Sequence, residues 1–357
     1  MRIGEREVGL EHPPYVIAEI GVNHDGEIER ALSLTDAAAD AGADAVKLQF
    51  FETDRLMSKA AKLAAYQKNA GETDPIAMLR RLELTIDEMA LVVDRAHERG
   101  IHAIVTVFST ELVEIAETLA WDAYKTASPD IVNKPLLEAL AGTGKAMIVS
   151  TGAATESDVR QARQWLEGTV NRLVFLHCIS CYPTNPEDAQ VGMCRGLRSY
   201  VDPCEVGYSD HTTHISTARL ARGAGAMVFE KHFTDDMRRT GPDHCASLEP
   251  TQLKAYIERT KNEDPVSKSE LGEELWDAMW GDVHKRVLDC ERDVREVSRQ
   301  SVVSTRNIAP GETITREMLT IKRPGTGILA YRLNEVVGSV VKRTIENDVP
   351  IVEEDIA

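Results

Sequence analysis

Eight short apolar runs, separated by segments of helical periodicity, constrain this chain more than any other feature. The runs are Tyr15–Gly21, Ala45–Phe51, His102–Phe108, Ala123–Ser128, Ala146–Thr151, Leu173–Cys178, Glu205–Asp210 and Met227–Phe233. Several are apolar at nearly every position, as strands buried on both faces require. Between them, Ile28–Gly42, Ile86–Gly100, Glu111–Leu119, Pro135–Gly144, Glu156–Gly168 and His214–Gly225 carry apolar residues at helical spacing, and several end in Gly, a common helix stop. Strands alternating with helices in this way predict an α/β fold, a closed parallel (β/α)8 TIM barrel, over residues 1–265.

Three further regions depart from that pattern. Glu52 to Thr85 is a long insertion after the second run, partly helical around AKLAAYQKNAG, and a βα connection of that length is usually functional. Residues 266–298 are charged, contain Trp276 and Trp280, and read as a helical linker. Residues 299–357 change to short strands and turns (SVVSTRNI, APGETIT, RPGTG, VVGSVVKRTI), a small β-rich domain. A domain of that size is marginal alone, so it is expected to pack against something.

Charge removes several classes of partner. Across 357 residues, 41 Lys and Arg face 58 Asp and Glu, a net charge of −17. Such a surface repels phosphate backbones and anionic headgroups, which disfavours nucleic acid and membranes. No apolar run is long enough to span a bilayer, and the charged MRIGEREVGLEHPP start has no signal-peptide core. Six Cys in so long a chain make no disulfide framework, which fits a cytoplasmic location.

In a parallel barrel the C-terminal strand ends converge on one face, where active sites are built. Here every run ends in polar residues. The first brings Glu19, Asn23 and His24, the second Lys47 and Gln49, the third Thr106 and Ser109, and the fourth Lys125 and Ser128. The fifth brings Ser150 and Thr151, the sixth His177 and Ser180 followed by Tyr182, the seventh Ser209, Asp210 and His211, and the eighth Glu230, Lys231 and His232. One such residue is commonly a satisfied core group. The repetition at all eight ends points to an enzyme, because burying unpaired charge without a ligand is expensive.

Lys47, Lys125 and Lys231 supply cations for a phosphate or carboxylate, with Ser128, Ser150, Thr151 and Ser209 as neutral donors. Taken singly, each Lys fits a surface charge or structural ion pair equally well. His211 and His232 can share one divalent metal, although a pair of His also fits hydrogen-bonding roles. Glu19 and Glu230 are candidates for acid–base work, with Lys pairing or support of a metal as the alternatives. Cys178-Ile-Ser-Cys181 lacks a second pair for zinc, His211-Thr-Thr-His214 is no zincin helix, and no dinucleotide or P-loop motif occurs. The run Glu291–Glu296 (ERDVRE) reads as a solvated helix face.

The segments AEIGVNHDG, GADAVKLQFF, STG, HCISCYPTNPEDA, GYSDHT, FEKHFT and GPDHCASLEP, in this order, resemble the sialic acid synthase family. The tail, with RNIAPGETIT and KRPGTGI, is similar to the antifreeze-like SAF domain that ends those enzymes. The resemblance implies condensation of phosphoenolpyruvate with an N-acetylated hexosamine, by default N-acetylmannosamine, to give a nonulosonic acid and phosphate. It implies Mn2+ or Mg2+ held by His211 and His232, and a phosphoenolpyruvate site of Lys47, Lys125, Ser128, Ser150 and Ser209. Gln49, Tyr182, Glu230 and Asp243 match sugar contacts, and Glu19 matches a carboxylate near the reacting carbons. It also implies a domain-swapped homodimer in which Arg323 reaches the sugar bound to the neighbouring barrel.

Three places depart from the family pattern. Ser128-Pro129-Asp130 stands where Ser-Gly-Glu is common, so Asp130 keeps the candidate catalytic carboxylate one methylene shorter. TVFST (Thr106–Thr110) replaces TPFD, and Ser180 takes the place of an Asn that contacts substrate. These changes leave legionaminate and pseudaminate synthases, which take diacetamido sugars, and spore-coat polysaccharide enzymes as alternatives. An aldolase using free pyruvate, a catalytically dead homologue and an ice binder are further readings. The tail's Thr residues lack the regular spacing that ice binding needs.

Overall fold

The computed structural model describes residues 1–357. A short antiparallel ribbon, β1 (Arg2–Ile3) with β2 (Arg6–Glu7), precedes the barrel. The barrel strands are β3 (Tyr15–Glu19), β4 (Ala45–Phe50), β5 (His102–Val107), β6 (Ala123–Thr126), β7 (Ala146–Ser150), β8 (Leu173–Cys178), β9 (Glu205–Asp210) and β10 (Val228–His232). They pair in parallel and in sequence order, and β10 closes on β3 with His232 opposite Glu19. Each apolar run therefore forms the strand expected of it, and the TIM barrel is the observed fold. No helix is long and apolar enough to cross a membrane.

Side-chain alternation divides each strand between two environments. On β4, Val46, Leu48 and Phe50 face outward and join Leu34, Ala38 and Val92 of the surrounding helices in the main core. Ala45 faces inward, in a smaller cluster with Ile17, Ile104, Ala123, Ile148, Leu176 and Val228 that fills the barrel axis. Ile3 and Val8 of the N-terminal ribbon join this cluster and close the barrel's N-terminal mouth. At Gly207 the barrel is too tight for any side chain, since a Cβ there would lie 2.3 Å from the Val228 carbonyl oxygen.

Two residues further along each inward column the character changes. Ile17 is followed by Glu19, Ala45 by Lys47, Ile104 by Thr106, Ala123 by Lys125, Ile148 by Ser150, Leu176 by Cys178, Gly207 by Ser209 and Val228 by Glu230. The lower layer is thus an apolar plug, and the upper layer is polar on seven strands and a thiol on the eighth. All eight upper residues line one cavity.

The insertion forms three short helices, Thr53–Leu56, Ala65–Asn69 and Pro75–Arg81. Their apolar residues pack with Val22, Phe51 and Phe108 into a separate cluster above the barrel. The connector carries helices Lys268–Leu271, Glu273–Trp280 and Arg292–Ser298, with Trp276 and Trp280 stacked at 4.7 Å. The tail is built on the antiparallel pair β11 (Ser301–Ser304) and β12 (Leu319–Lys322) around a small core that includes Val302, Ile314 and Val341. It lies over the C-terminal mouth of its own chain's barrel. Arg323 N–H donates to the Leu56 carbonyl at 2.8 Å, and its carbonyl accepts from Ser58 N–H and Oγ at 3.1 and 2.8 Å.

Candidate active site

A half-open cavity lies at the barrel mouth beneath the insertion and the tail. Among the residues anticipated from sequence, Glu19, Lys47, Gln49, Lys125, Ser128, Ser150, Ser180, Tyr182, Ser209, His211, Glu230, His232, Asp243 and Arg323 all line it. Two do not.

Lys231 is the first exception. Strand parity turns it away from Glu230 and His232, and it has almost no exposed surface. Its Nζ donates to the Asp210 carbonyl at 3.0 Å and to the Thr212 carbonyl, with the Asp210 carboxylate 3.7 Å away. It forms a structural ion pair outside the barrel axis and does not reach the cavity, contrary to the substrate role expected of it. Asp130 is the second. It sits behind the cavity wall, fully buried, with Oδ1 accepting from Gln300 Nε2 at 2.8 Å. Burial pushes its carboxyl up to about 7 against the opposing pull of Arg323 and Gln300. It does not reach the cavity as a catalytic carboxylate would.

At the cavity floor two lysines and two carboxylates interlock. Lys47 pairs with Glu19, lies 3.6 Å from Glu230 Oε2, and donates to Thr106 Oγ1 at 2.8 Å. Lys125 Nζ lies 3.2 Å from Glu230 Oε1, which also accepts from Ser209 Oγ at 2.8 Å. Burial pushes Lys47 down to about 7, with Glu230 pulling the other way. Burial would raise Glu230, but Lys125 and Lys47 override it and hold the carboxyl well below the usual range. Ser150 and Ser180 hydroxyls are buried without hydrogen-bond partners. Two cations beside unpartnered hydroxyls suit a small dianion.

His211 and His232 stand side by side, ring centroids 5.4 Å apart, with Tyr182 against both at 4.1 and 5.7 Å. His211 Nδ1 lies 2.7 Å from the Ile179 carbonyl; donating there leaves Nε2 with its lone pair. Burial, reinforced by His211, holds His232 well below the ordinary imidazole value, so it stays neutral. Its Nδ1 has no hydrogen-bond partner, and Asp243 Oδ2 is 3.8 Å away. Burial would lower His211, but Cys178 and the Ile179 carbonyl outweigh it and hold that imidazole above its ordinary value. Two buried imidazoles side by side fit a divalent cation, which would displace the His211 proton on binding. No third His, Cys, Asp or Glu converges with them, so the remaining ligands would be water or substrate.

The far wall was not legible in advance. Tyr66, from the insertion, packs against Tyr182 with the rings tilted and their centroids 4.9 Å apart, and extends the aromatic series from His211. Phe51, Leu56, Met78, Leu79 and Phe108 make the rest of that wall apolar. Arg323 enters over the Phe108 ring at 5.4 Å, and its Nε is buried without a partner. The guanidinium thus comes from the same chain, and the exchange with a neighbour implied by the family resemblance is not the arrangement seen. The YQ pair inside a long βα insertion was the available signal for Tyr66.

Comparison with known proteins bears on these features. Residues 34–270 match the NeuB family, and residues 299–357 match the SAF domain. The chain belongs to the NeuB family. Among its relatives, N,N'-diacetyllegionaminic acid synthase of Legionella pneumophila is 34% identical over 91% of this chain and 89% of its own. Human N-acetylneuraminate-9-phosphate synthase is 31% identical over 98% of this chain and 94% of its own. Among solved structures, the spore coat polysaccharide biosynthesis protein spsE of Bacillus subtilis superposes with a TM-score of 0.84 at 28% identity, covering 100% of this chain and 99% of that one. The NeuB-family match bears out the resemblance drawn from the strand-end motifs, and the SAF match bears out that drawn from the tail.

Proposed function

We propose that this NeuB-family protein condenses phosphoenolpyruvate with an N-acetylated hexosamine and water to give a nonulosonic acid and phosphate. The observation that carries the reading is the floor of the cavity, where Lys47 and Lys125 meet Glu19, Glu230 and unpartnered serine hydroxyls within one buried layer.

Phosphoenolpyruvate binds with its anionic groups toward Lys47, Lys125, Ser128, Ser150 and Ser209. C3 attacks the aldehyde carbon of the open-chain sugar, forming the new C–C bond and leaving positive charge at C2. Glu19 and Glu230 stabilise that charge electrostatically, while the lysines hold the phosphate. Water adds at C2; Glu19 takes one of its protons and relays it to the former aldehyde oxygen, and the other goes to the departing phosphate as the C–O bond breaks and the C2 ketone forms. His211 and His232 hold a divalent cation, Mn2+ or Mg2+, which when bound polarises the sugar aldehyde. Gln49, Tyr182 and Asp243 orient the sugar, and Arg323 faces its acyl group.

The apolar far wall favours acetamido and deoxy positions over a phosphorylated end, since Arg323 is its only cation. Diacetamido hexoses, the substrates of a legionaminate branch, are therefore a second reading beside N-acetylmannosamine. The six free thiols fit a cytoplasmic enzyme.

Product analysis by mass spectrometry, with N-acetylmannosamine and a 2,4-diacetamido hexose offered separately, tests this reading. A 2-keto acid carrying three more carbons than the sugar supports it, and the productive sugar fixes the branch. Turnover from free pyruvate would replace the reading with an aldolase. Mn2+ binding that persists in His232→Ala would remove the metal assignment.

A further inference from the structure

The connector to the tail holds a buried carboxylate that no step above uses. Glu291 has no exposed surface and departs from the solvated helix face expected of the charged run Glu291–Glu296, whose Arg292, Asp293 and Glu296 are exposed. Its Oε1 accepts from the N–H groups of Ala153 at 2.6 Å and Ser180 at 2.9 Å, and its Oε2 accepts from Leu288 N–H at 3.0 Å. Ala153 follows β7 and Ser180 follows β8, so one side chain ties two loops of the site together. Glu291 itself does not line the cavity.

Ala153 adopts φ +51°, the left-handed region that L-residues rarely enter. Both of its peptide groups are gripped from the connector. Glu291 takes the N–H, while Arg295 and Arg299 donate to the carbonyl, the latter at 3.4 Å. Asp158 fixes these arginines at 3.1 and 2.8 Å. The turn so formed aims Gly152 N–H at Ser128 Oγ, 3.0 Å away. No side chain fits at Gly152, because a Cβ would lie 2.3 Å from Ser180 Oγ and 2.8 Å from Ser128 Oγ. The hold on Ala153 therefore reaches the hydroxyls of Ser128 and Ser180 and the segment carrying Ser150.

We propose that Glu291 is a positioning residue for phosphoenolpyruvate. By clamping Ala153 and Ser180 it sets the three serine hydroxyls at the spacing the anion needs, and it couples docking of the connector to formation of that subsite. The inference rests on the function proposed above, which assigns Ser128 and Ser150 to phosphoenolpyruvate, and it adds the Ser180 hydroxyl beside them.

The test uses the full-length protein and measures phosphoenolpyruvate affinity by calorimetry alongside both KM values. Glu291→Ala is expected to weaken phosphoenolpyruvate binding about tenfold or more, with the sugar KM within about twofold. Glu291→Gln keeps a carbonyl oxygen for both loop N–H groups and is expected to stay within about threefold of wild type. Ala153→Gly, which enters the left-handed region freely, is expected to restore part of the affinity lost in Glu291→Ala. Glu291→Asp, a methylene too short to span both loops, replaces Glu291→Ala under the same criteria if the latter does not fold. Wild-type phosphoenolpyruvate affinity in the folded variant overturns the proposal. So does an equal loss for both substrates, or a Gln variant as impaired as Ala. Direct binding separates the two readings: wild type that binds phosphoenolpyruvate yet turns over no sugar contradicts the proposed function while leaving Glu291 testable.

Discussion

Lys125 Nζ lies 3.2 Å from Glu230 Oε1, so this buried cation is neutralised by a carboxylate of the chain itself. Glu230 serves both Lys125 and Lys47, and their field keeps it ionised despite burial. A substrate anion arriving here competes with Glu230 for the lysines, and the displaced carboxylate is left beside the carbon that becomes positive.

Glu230→Gln separates these two effects. Phosphoenolpyruvate affinity should stay the same or improve, because the competing charge is gone. The kcat should fall by about 100-fold or more, as for loss of an electrostatic group acting mainly in the transition state. Calorimetry and steady-state kinetics check both, and loss of affinity with kcat intact would contradict the assignment.

Burial sets Lys47 near 7 in the free enzyme, so it loses its proton progressively above neutrality. The substrate binds the cationic form, and phosphoenolpyruvate Kd should therefore rise between pH 7 and 9, by up to about tenfold per unit. Binding at pH 8.5 should take up close to one proton, measured by calorimetry in buffers of different ionisation enthalpy. A flat Kd over that range would rule out Lys47 as the responsible cation.

Arg323 is anchored through its backbone to Leu56 and Ser58, so truncating its side chain should leave the tail docked. Arg323→Ala should raise the sugar KM about 10- to 100-fold with phosphoenolpyruvate affinity and melting temperature unchanged. Because Arg323 belongs to the chain whose site it enters, co-expressing Arg323→Ala with Lys125→Ala should yield no restored activity. Restoration would mean that the tails are exchanged between chains.

Asp130 has its folded pKa raised by burial to about 7, against about 4 unfolded. Folding thus takes up a proton between those values. The stability this group contributes is fully present below about pH 4 and is lost as pH rises through about 7. Asp130→Asn stays neutral throughout, so its melting temperature should gain on wild type by roughly 2–4 °C between pH 5 and pH 8. Parallel melting curves across that range would show that Asp130 does not titrate there.

Much of the site was readable from strand parity. Residues two apart on one strand share a face, which places Lys47 with Gln49 and Glu230 with His232 inside the barrel. The same rule turns Lys231 outward, and weighing composition at the strand end over parity misplaced it. Asp130 stands in a tight turn after β6, where no periodicity tells which way a side chain faces. Glu291 looked solvated because its neighbours alternate in charge, yet the groups that bury it come from loops more than 100 residues away in sequence. Tyr66 and the apolar far wall depend on how the insertion folds over the barrel, which strand and helix patterns do not encode.

Phosphate release from phosphoenolpyruvate in the presence of Mn2+, with and without an N-acetylated hexosamine, tests the central claim most directly. The account predicts release only when sugar and metal are both present, with one 2-keto acid formed per phosphate. Sugar-independent release, or none with either N-acetylmannosamine or a diacetamido hexose, would contradict it.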